Sequence, residues 1–229
     1  MTRLNKYIAE CGICSRREAD RLIENGSVAV NGKVATVGMA VSDEDEIIIN
    51  GNKLAGKNSK VVLAFNKPVG VVCSEKDTHG EVTIKDVLDY PVRVTYAGRL
   101  DKDSEGLLLL TNDGELINEL MRGKNNHDKE YIVRVTKELT PDFKEKMEGG
   151  IFLKELNIKT KPCRVNVIDP YTFSIILTQG VNRQIRRMCD TLGYRVKELT
   201  RIRVANIELG RLHPGTYRRI TGEELKALY

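Results

Sequence analysis

The sequence predicts an α+β protein in two parts, a small helix-then-hairpin domain followed by a larger domain on a mainly antiparallel mixed sheet. Three observations predict it. Residues 1–51 carry two short helical periodicities and then β-branched runs around Asn31-Gly32. Residues 52–60, rich in Gly, Asn and Lys, read as a linker. From Val61 onward strand patterns outnumber helical ones and are joined by hairpin-like links. The expected boundaries are therefore 1–51, a linker at 52–60, and 61–229.

Within the small domain, Leu4, Tyr7, Ile8 and Cys11 recur at helical spacing and Gly12 offers a stop. Ser15 and Glu18 form a capping-box pattern opening a second helix, whose apolar face is Ala19, Leu22 and Ile23. Asn25-Gly26 ends it. Val28 and Val30 lead into Asn31-Gly32, a tight-hairpin signal, and Ile47-Ile48-Ile49 supplies the closing strand.

In the larger domain, residues 61–65 and 69–73 are β-branched runs that predict strands. Thr83 can cap a short helix reaching Leu88. Residues 106–111 form a continuous apolar run, a buried strand, and Asn112-Asp113-Gly114 turns from it into a helix carrying Leu116, Ile117, Leu120 and Met121. Strands are predicted at 131–135 and 171–177. Ile185, Met188, Cys189 and Leu192 mark a helix ended by Gly193, and another strand runs through 195–204. Thr221-Gly222-Glu223-Glu224 is a second capping-box pattern, opening the last helix.

Composition narrows the function classes. Hydrophobic residues make up 41% and charged residues 30%, as in a soluble globular protein. Apolar runs such as Leu107-Leu108-Leu109-Leu110 are far too short to span a bilayer, and the first residues lack a signal peptide pattern. A cytoplasmic protein with no membrane association is expected. Five cysteines, an odd number, fit a reducing compartment better than a disulfide framework. Cys11 and Cys14 form a C-x-x-C pair. A closed zinc site needs two further ligands that are not suitably spaced, so no metal is expected and buried helix cysteines are the simpler reading. Residues 183–219 hold ten Lys or Arg against three acids, enough to attract a polyanion or to form a solvated basic face. A phosphate-cradling glycine loop is absent, which argues against a nucleotide-using enzyme.

Three segments place polar groups beside apolar runs. In Gly98-Arg99-Leu100-Asp101-Lys102-Asp103-Ser104-Glu105-Gly106, a polar loop leads directly into the buried strand. Such a loop can hold the Asp101 carboxylate rigidly at the edge of the core, or the aspartate can simply cap a turn. Lys129-Glu130-Tyr131 starts a strand, where Tyr131 can stack on a base or pack as an ordinary half-buried tyrosine. In Asn182-Arg183-Gln184-Ile185-Arg186-Arg187-Met188 the apolar positions turn one helix face to the core. Arg183 and Arg187 then lie one turn apart with Arg186 beside them.

Taken together, these segments resemble the bacterial ribosomal RNA pseudouridine synthases of the RsuA and RluB/E/F family. The resemblance rests on Gly98-Arg99-Leu100-Asp101, on Gly106-Leu107-Leu108-Leu109-Leu110-Thr111-Asn112-Asp113-Gly114, on Asn66-Lys67-Pro68 with Gly70, on Lys129 and Tyr131, and on Asn182-Arg183-Gln184-Ile185-Arg186-Arg187. It spans essentially the whole chain and is closest to the RluF-like branch. The small domain resembles the S4-type RNA-binding domain, through Arg3-Leu4-Asn5-Lys6-Tyr7, Gly12-Ile13-Cys14-Ser15-Arg16-Arg17-Glu18-Ala19 and Gly26-Ser27-Val28-Ala29-Val30-Asn31-Gly32-Lys33.

The resemblance implies an enzyme that breaks the uracil N1 to ribose C1′ bond, turns the base and rejoins it through C5. Such an isomerisation has no second substrate and implies no cofactor. Asp101 would be the nucleophile, Arg186 its ion-paired basic partner, and Tyr131 the residue that stacks on uracil and assists proton removal from C5. Arg99 would hold the flipped-out nucleotide or its phosphate, with Arg183 and Arg187 as RNA-backbone contacts or structural pairs. Arg3, Arg16, Arg17 and Lys33 would grip structured RNA by its phosphates. The implied partner is ribosomal RNA, 23S by the RluF-like likeness, with a tRNA anticodon as a further target in some members of that branch. A monomer is expected. The alternatives are a 16S ribosomal RNA pseudouridine synthase and a non-catalytic RNA-binding assembly factor. The latter has no physical need to combine Asp101, Tyr131 and Arg186.

Overall fold

The computed structural model describes residues 1–74, 80–121 and 127–228. Its elements, in chain order, begin with strand β1 (Thr2–Arg3), helix α1 (Leu4–Glu10) and helix α2 (Arg16–Glu24). Five short strands follow: β2 (Val28–Val30), β3 (Lys33–Val34), β4 (Ala40–Val41), β5 (Ile47–Ile49) and β6 (Asn52–Lys53). Then come β7 (Val62–Lys67), α3 (Ile84–Val87), β8 (Thr95–Tyr96), β9 (Glu105–Thr111), α4 (Gly114–Met121) and β10 (Lys129–Val135). The chain continues through α5 (Phe143–Glu148), β11 (Phe152–Leu153), β12 (Ile158–Lys159), β13 (Arg164–Asp169), β14 (Thr172–Leu177) and α6 (Gln184–Thr191). It ends with β15 (Val196–Val204), β16 (Ile207–Glu208), β17 (Tyr217–Arg219) and α7 (Gly222–Lys226). None of the described helices is long and apolar enough to cross a membrane. The chain divides into two compact units. One comprises Met1–Val61, Tyr90–Thr95 and Asn112–Gly114, and the other Val62–Asp89, Tyr96–Thr111 and Glu115–Tyr229.

In the smaller unit the local signals act as read. Ser15 caps α2, its Oγ accepting from the Glu18 N–H at 3.3 Å. Asn31 and Gly32 both take positive φ, 50° and 76°, which is the backbone a two-residue hairpin needs between β2 and β3. The sheet order is β3-β2-β5-β6, and β1 pairs with β4. Leu4, Tyr7 and Ile8 of α1, Ala19 and Ile23 of α2, and Val28, Val30, Ile47 and Ile49 from the strands share one core with Cys11. Burial pushes the Cys11 thiol up, as expected for a packed side chain.

Residues 52–60, expected as a free linker, are instead built onto this unit. Asn52–Lys53 pairs with β5 as an edge strand, and the Leu54 N–H donates to the Ile47 carbonyl at 2.8 Å. The Lys57 ammonium lies 2.9 Å from Asp43 and 3.7 Å from Glu10, and 4.6 Å above the Tyr7 ring. Asn58 donates to the Cys11 carbonyl at 3.1 Å. Polar composition predicted freedom, but here the polar groups find fixed partners.

The larger unit is organised by a mixed sheet. Among the described residues its main path runs β13-β14-β10-β15-β9-β7-β17, with β16 added on β15. Every ladder on that path is antiparallel except β15 with β9, which is parallel. β7 and β9 lie in its interior and are buried along almost their whole length, which accounts for the apolar runs 62–65 and 107–110 within them. One core packs α5 and α6 on β10, β14 and β15, with Phe143 edge-on to Phe173 and Tyr194 at 4.8 and 5.0 Å between ring centroids. Burial there pushes the Cys189 thiol up to about 12. A second core packs α4 and Ile220 against Val62, Ala64, Leu107 and Leu109.

Two local expectations need correction, and one helix lay outside them. Residues 69–73 do not form a strand: Gly70 turns the chain at φ +90°, and the Val71 carbonyl accepts from the Lys67 side chain. The Thr221 pattern opens α7 without a side-chain cap, because the Glu224 carboxylate pairs bidentately with Arg218 at 2.6 and 2.7 Å. Helix α5 was not foreseen, although Phe143 and Met147 at i and i+4 are its buried face.

The parallel contact leaves no room for a side chain at Gly106. Arg201 stands beside Gly106, whose φ is +106° and whose missing Cβ would fall 2.3 Å from the Arg201 carbonyl oxygen. Gly106→Ala should therefore destabilise the larger unit by about 3 kcal/mol or more, from backbone strain and collision together. Urea unfolding checks this; a change below ~0.5 kcal/mol would show that the contact is not as tight as described.

Candidate active site

The site grows from β7. Asn66 donates to the Leu212 carbonyl at 2.7 Å, tying this strand to the chain before β17. Lys67 is fully buried, and its ammonium donates to the carbonyls of Pro68 and Val71, both at 2.8 Å. Burial holds its pKa below the ordinary lysine value. The folded turn after β7 presents Gly70, whose N–H donates to the Lys102 carbonyl at 2.8 Å, and Cys73, whose sulfur accepts from the Leu100 N–H at 3.5 Å. Both bonds land on the Asp101 loop.

The loop is held from its other side by β15. Arg201, only 2% exposed, donates through Nε to the Leu107 carbonyl at 2.7 Å and through Nη1 to the Arg99 carbonyl at 3.4 Å. One guanidinium thus bridges the start and the end of the loop. Its Nη2 is buried and has no hydrogen-bond partner among the described residues. Within the loop the Ser104 N–H donates to the Asp101 carbonyl at 3.1 Å, closing a tight turn. The Asp101 side chain is left about one-third exposed, at 32%.

Helix α6 closes a third side. Its apolar residues Ile185, Met188 and Cys189 are buried against β10, β14 and β15. The residue before it, Arg183, is held in the left-handed region at φ 50°, ψ 34°, at a cost on the order of 1 kcal/mol for a side chain with a Cβ. That turn aims the Arg183 guanidinium back at the loop. It binds Asp103 through two bonds, 3.0 and 2.8 Å, and lies 3.9 Å from Asp101. The paired guanidinium holds the Asp103 carboxyl below the usual range.

These elements enclose a cavity of about 500 Å³, within the range of small-ligand sites. Asp101, Arg99, Tyr131 and Arg183 line it, as do Lys129, Cys73 and Arg201. Tyr131 is half-buried on β10, pairing with Ile175 on one side and Arg201 on the other. Burial, reinforced by the Arg201 charge, lowers the pKa of Lys129. The cavity therefore offers a carboxylate, an aromatic face and several cationic donors, the set required to hold an anionic, base-bearing substrate and attack it.

Not every expected residue is placed as expected. Arg186 lines no part of the cavity and does not pair with Asp101. It is buried behind the loop, donating to the Asp103 carbonyl at 2.7 Å and to Ser104 Oγ at 3.3 Å, with Nε 3.3 Å from the Asp103 carboxylate. The tight turn carries Asp103, not Asp101, to this helix face. Arg187 turns away to Glu155 and to the Asn182 carbonyl. Arg3, Arg16, Arg17 and Lys33 are exposed on the smaller unit, none of them in the cavity. Sequence reading counted Arg201 only as part of a basic stretch. Its signal was an arginine at an inward position of β15, in step with Leu199.

The comparisons with known proteins identify the family. Residues 61–191 match the family described as RNA pseudouridylate synthase, and residues 2–47 match the S4 domain. The chain belongs to the RNA pseudouridylate synthase family and is an RNA pseudouridine synthase with an S4 domain ahead of the catalytic one. It is 47% identical, over 99% of its length and 78% of the relative's, to the dual-specificity RNA pseudouridine synthase RluF of Escherichia coli O6:H1. It is 40% identical to the ribosomal large subunit pseudouridine synthase B of Bacillus subtilis, over 100% of this chain and 96% of that one. A crystal structure of a pseudouridylate synthase superposes on it with a TM-score of 0.74 at 32% identity, covering both chains fully.

Lys67 gives the site's scaffold a pH signature. Its folded pKa lies below 10.5, so between the folded value and 10.5 the unfolded chain holds the extra proton. Stability must then rise with pH through that window. The wild type should gain stability relative to Lys67→Met as pH climbs toward 10.5, measured by urea unfolding at stepped pH. Parallel curves for the two proteins would contradict it.

Proposed function

We propose that this enzyme isomerises a specific uridine of large-subunit ribosomal RNA, acting as a monomer with Asp101 as its nucleophile. The observation that carries the reading is the Asp101 carboxylate, fixed by its loop at the wall of a cavity it shares with Tyr131, Arg99 and Arg183. The choice of large-subunit RNA is supported by the relatives' names, one of which specifies that subunit. The other relative is named as having dual specificity, and the family resemblance makes a transfer RNA the second RNA to test.

In this reading Arg99, exposed at the cavity mouth, and Arg183 receive the phosphates of a nucleotide turned out of its helix. Uracil stacks on Tyr131. Asp101 initiates cleavage of the N1–C1′ bond, the base turns within the cavity, and C5 bonds to C1′. The hydrogen displaced from C5 leaves as a proton, N1 takes one up, and in this reading the Tyr131 hydroxyl assists the removal from C5. Arg186 serves the loop instead of touching the nucleophile, and Arg187 braces α6. Arg3, Arg16, Arg17 and Lys33 contact RNA phosphates outside the catalytic unit, adding affinity through counterion release. The working division is an RNA-gripping domain at 1–51 with 52–60 attached to it, and a catalytic domain at 61–229.

The test uses ribosomal RNA carrying 5-tritiated uridine, from which the reaction releases tritium to water. Asp101→Asn should lower turnover by at least ~1,000-fold while RNA affinity stays within roughly threefold. Turnover near the wild-type level would remove Asp101 from the mechanism.

A further inference from the structure

Asp103 lies two residues beyond the nucleophile and lines no part of the cavity. Yet it collects both arginines that reach the loop from the α6 segment. Arg183 gives it two hydrogen bonds at 3.0 and 2.8 Å, and Arg186 approaches the same carboxylate at 3.3 Å and bonds its carbonyl at 2.7 Å. Asp101, by contrast, meets a single guanidinium nitrogen among the described residues, at 3.9 Å. A guanidinium fork matches one carboxylate at a time. The fork that Arg183 would otherwise place on the nucleophile is therefore taken up by its neighbour.

We propose that Asp103 is a positioning residue for the isomerisation: it captures the Arg183 fork so that Asp101 stays charged beside a cation without being locked into a bidentate pair. The idea rests on the reading of Asp101 as nucleophile. A carboxylate with both oxygens engaged by a guanidinium is stabilised before the reaction, and that stabilisation must be surrendered for an oxygen to attack. One long contact keeps the field and leaves the oxygens free. The other groups near Asp101 do not substitute for this arrangement. Lys67 on β7 interacts with it electrostatically but spends its donors on two carbonyls. Arg183 also feels Asp190 on α6, but among the described residues its hydrogen bonds run to Asp103.

The experiment compares the wild type with Asp103→Asn, Asp103→Glu and Asp101→Asn. It measures kcat and KM for tritium release across pH, with thermal unfolding alongside. Asp103→Asn should release the Arg183 fork onto Asp101, lowering kcat roughly 10- to 100-fold with KM changed less than about threefold. Both the closer cation and the lost negative charge favour ionised Asp101, so the acid limb of the kcat profile should move to lower pH. Asp103→Glu, which keeps a carboxylate, should recover most of the rate. A merely structural role predicts a lower unfolding temperature with an unmoved acid limb, and that result overturns the proposal. So does an Asp103→Asn enzyme with wild-type kcat. Substantial turnover by Asp101→Asn would instead sink the nucleophile reading, and this proposal with it.

Discussion

The catalytic unit depends on one close approach, the parallel pairing of β9 and β15 at Gly106 and Arg201. All its neighbours on the main sheet path pair antiparallel, so this ladder is where the chain direction changes sense. A glycine is required because the backbones are too close for a Cβ. That proximity sets the Arg201 guanidinium across the carbonyls of Arg99 and Leu107, and the two bonds hold the ends of the Asp101 loop together. The same strand lies beside Tyr131 on β10. Asp101 and the Tyr131 ring therefore take their places from opposite sides of β15.

Charge is arranged in two layers around this point. Lys67, Arg186 and Arg201 are buried and donate mainly to backbone carbonyls, so they act as fixed struts with fields attached. Arg99 and Arg183 are exposed and line the cavity, where an RNA phosphate can reach them. The distinction explains why arginines adjacent in sequence divide their labour. Arg183 precedes α6 in a strained left-handed turn, Arg186 faces inward on the first turns of the helix, and Arg187 points along it to Glu155.

Much of this was legible in the sequence wherever the signal was local. Ser15, Asn31-Gly32 and the apolar run of β9 each act through their own few residues, and the structure follows them. The Asp101 loop and the α6 segment stood out because polar groups adjoin core residues there, and the family resemblance joined them. What could not be read depended on side chains choosing among distant partners. Asp101 and Asp103 are alternatives for Arg186, and only the turn closed by Ser104 decides between them. Lys67 takes the carbonyl that a strand at 69–73 would have paired. Lys57 converts a polar linker into part of the smaller unit by meeting Asp43, Glu10 and Tyr7 at once. Arg201 looked like one more positive charge, because its meaning lies in a ladder to a strand almost a hundred residues earlier.

The most direct test of the account is a map of pseudouridines across ribosomal and transfer RNA from cells lacking the gene, complemented with either the wild-type or the Asp101→Asn protein. The account predicts a large-subunit site that vanishes on deletion, returns with the wild-type protein, and stays absent with the variant. An unchanged map on deletion, or a site restored by Asp101→Asn, would contradict it.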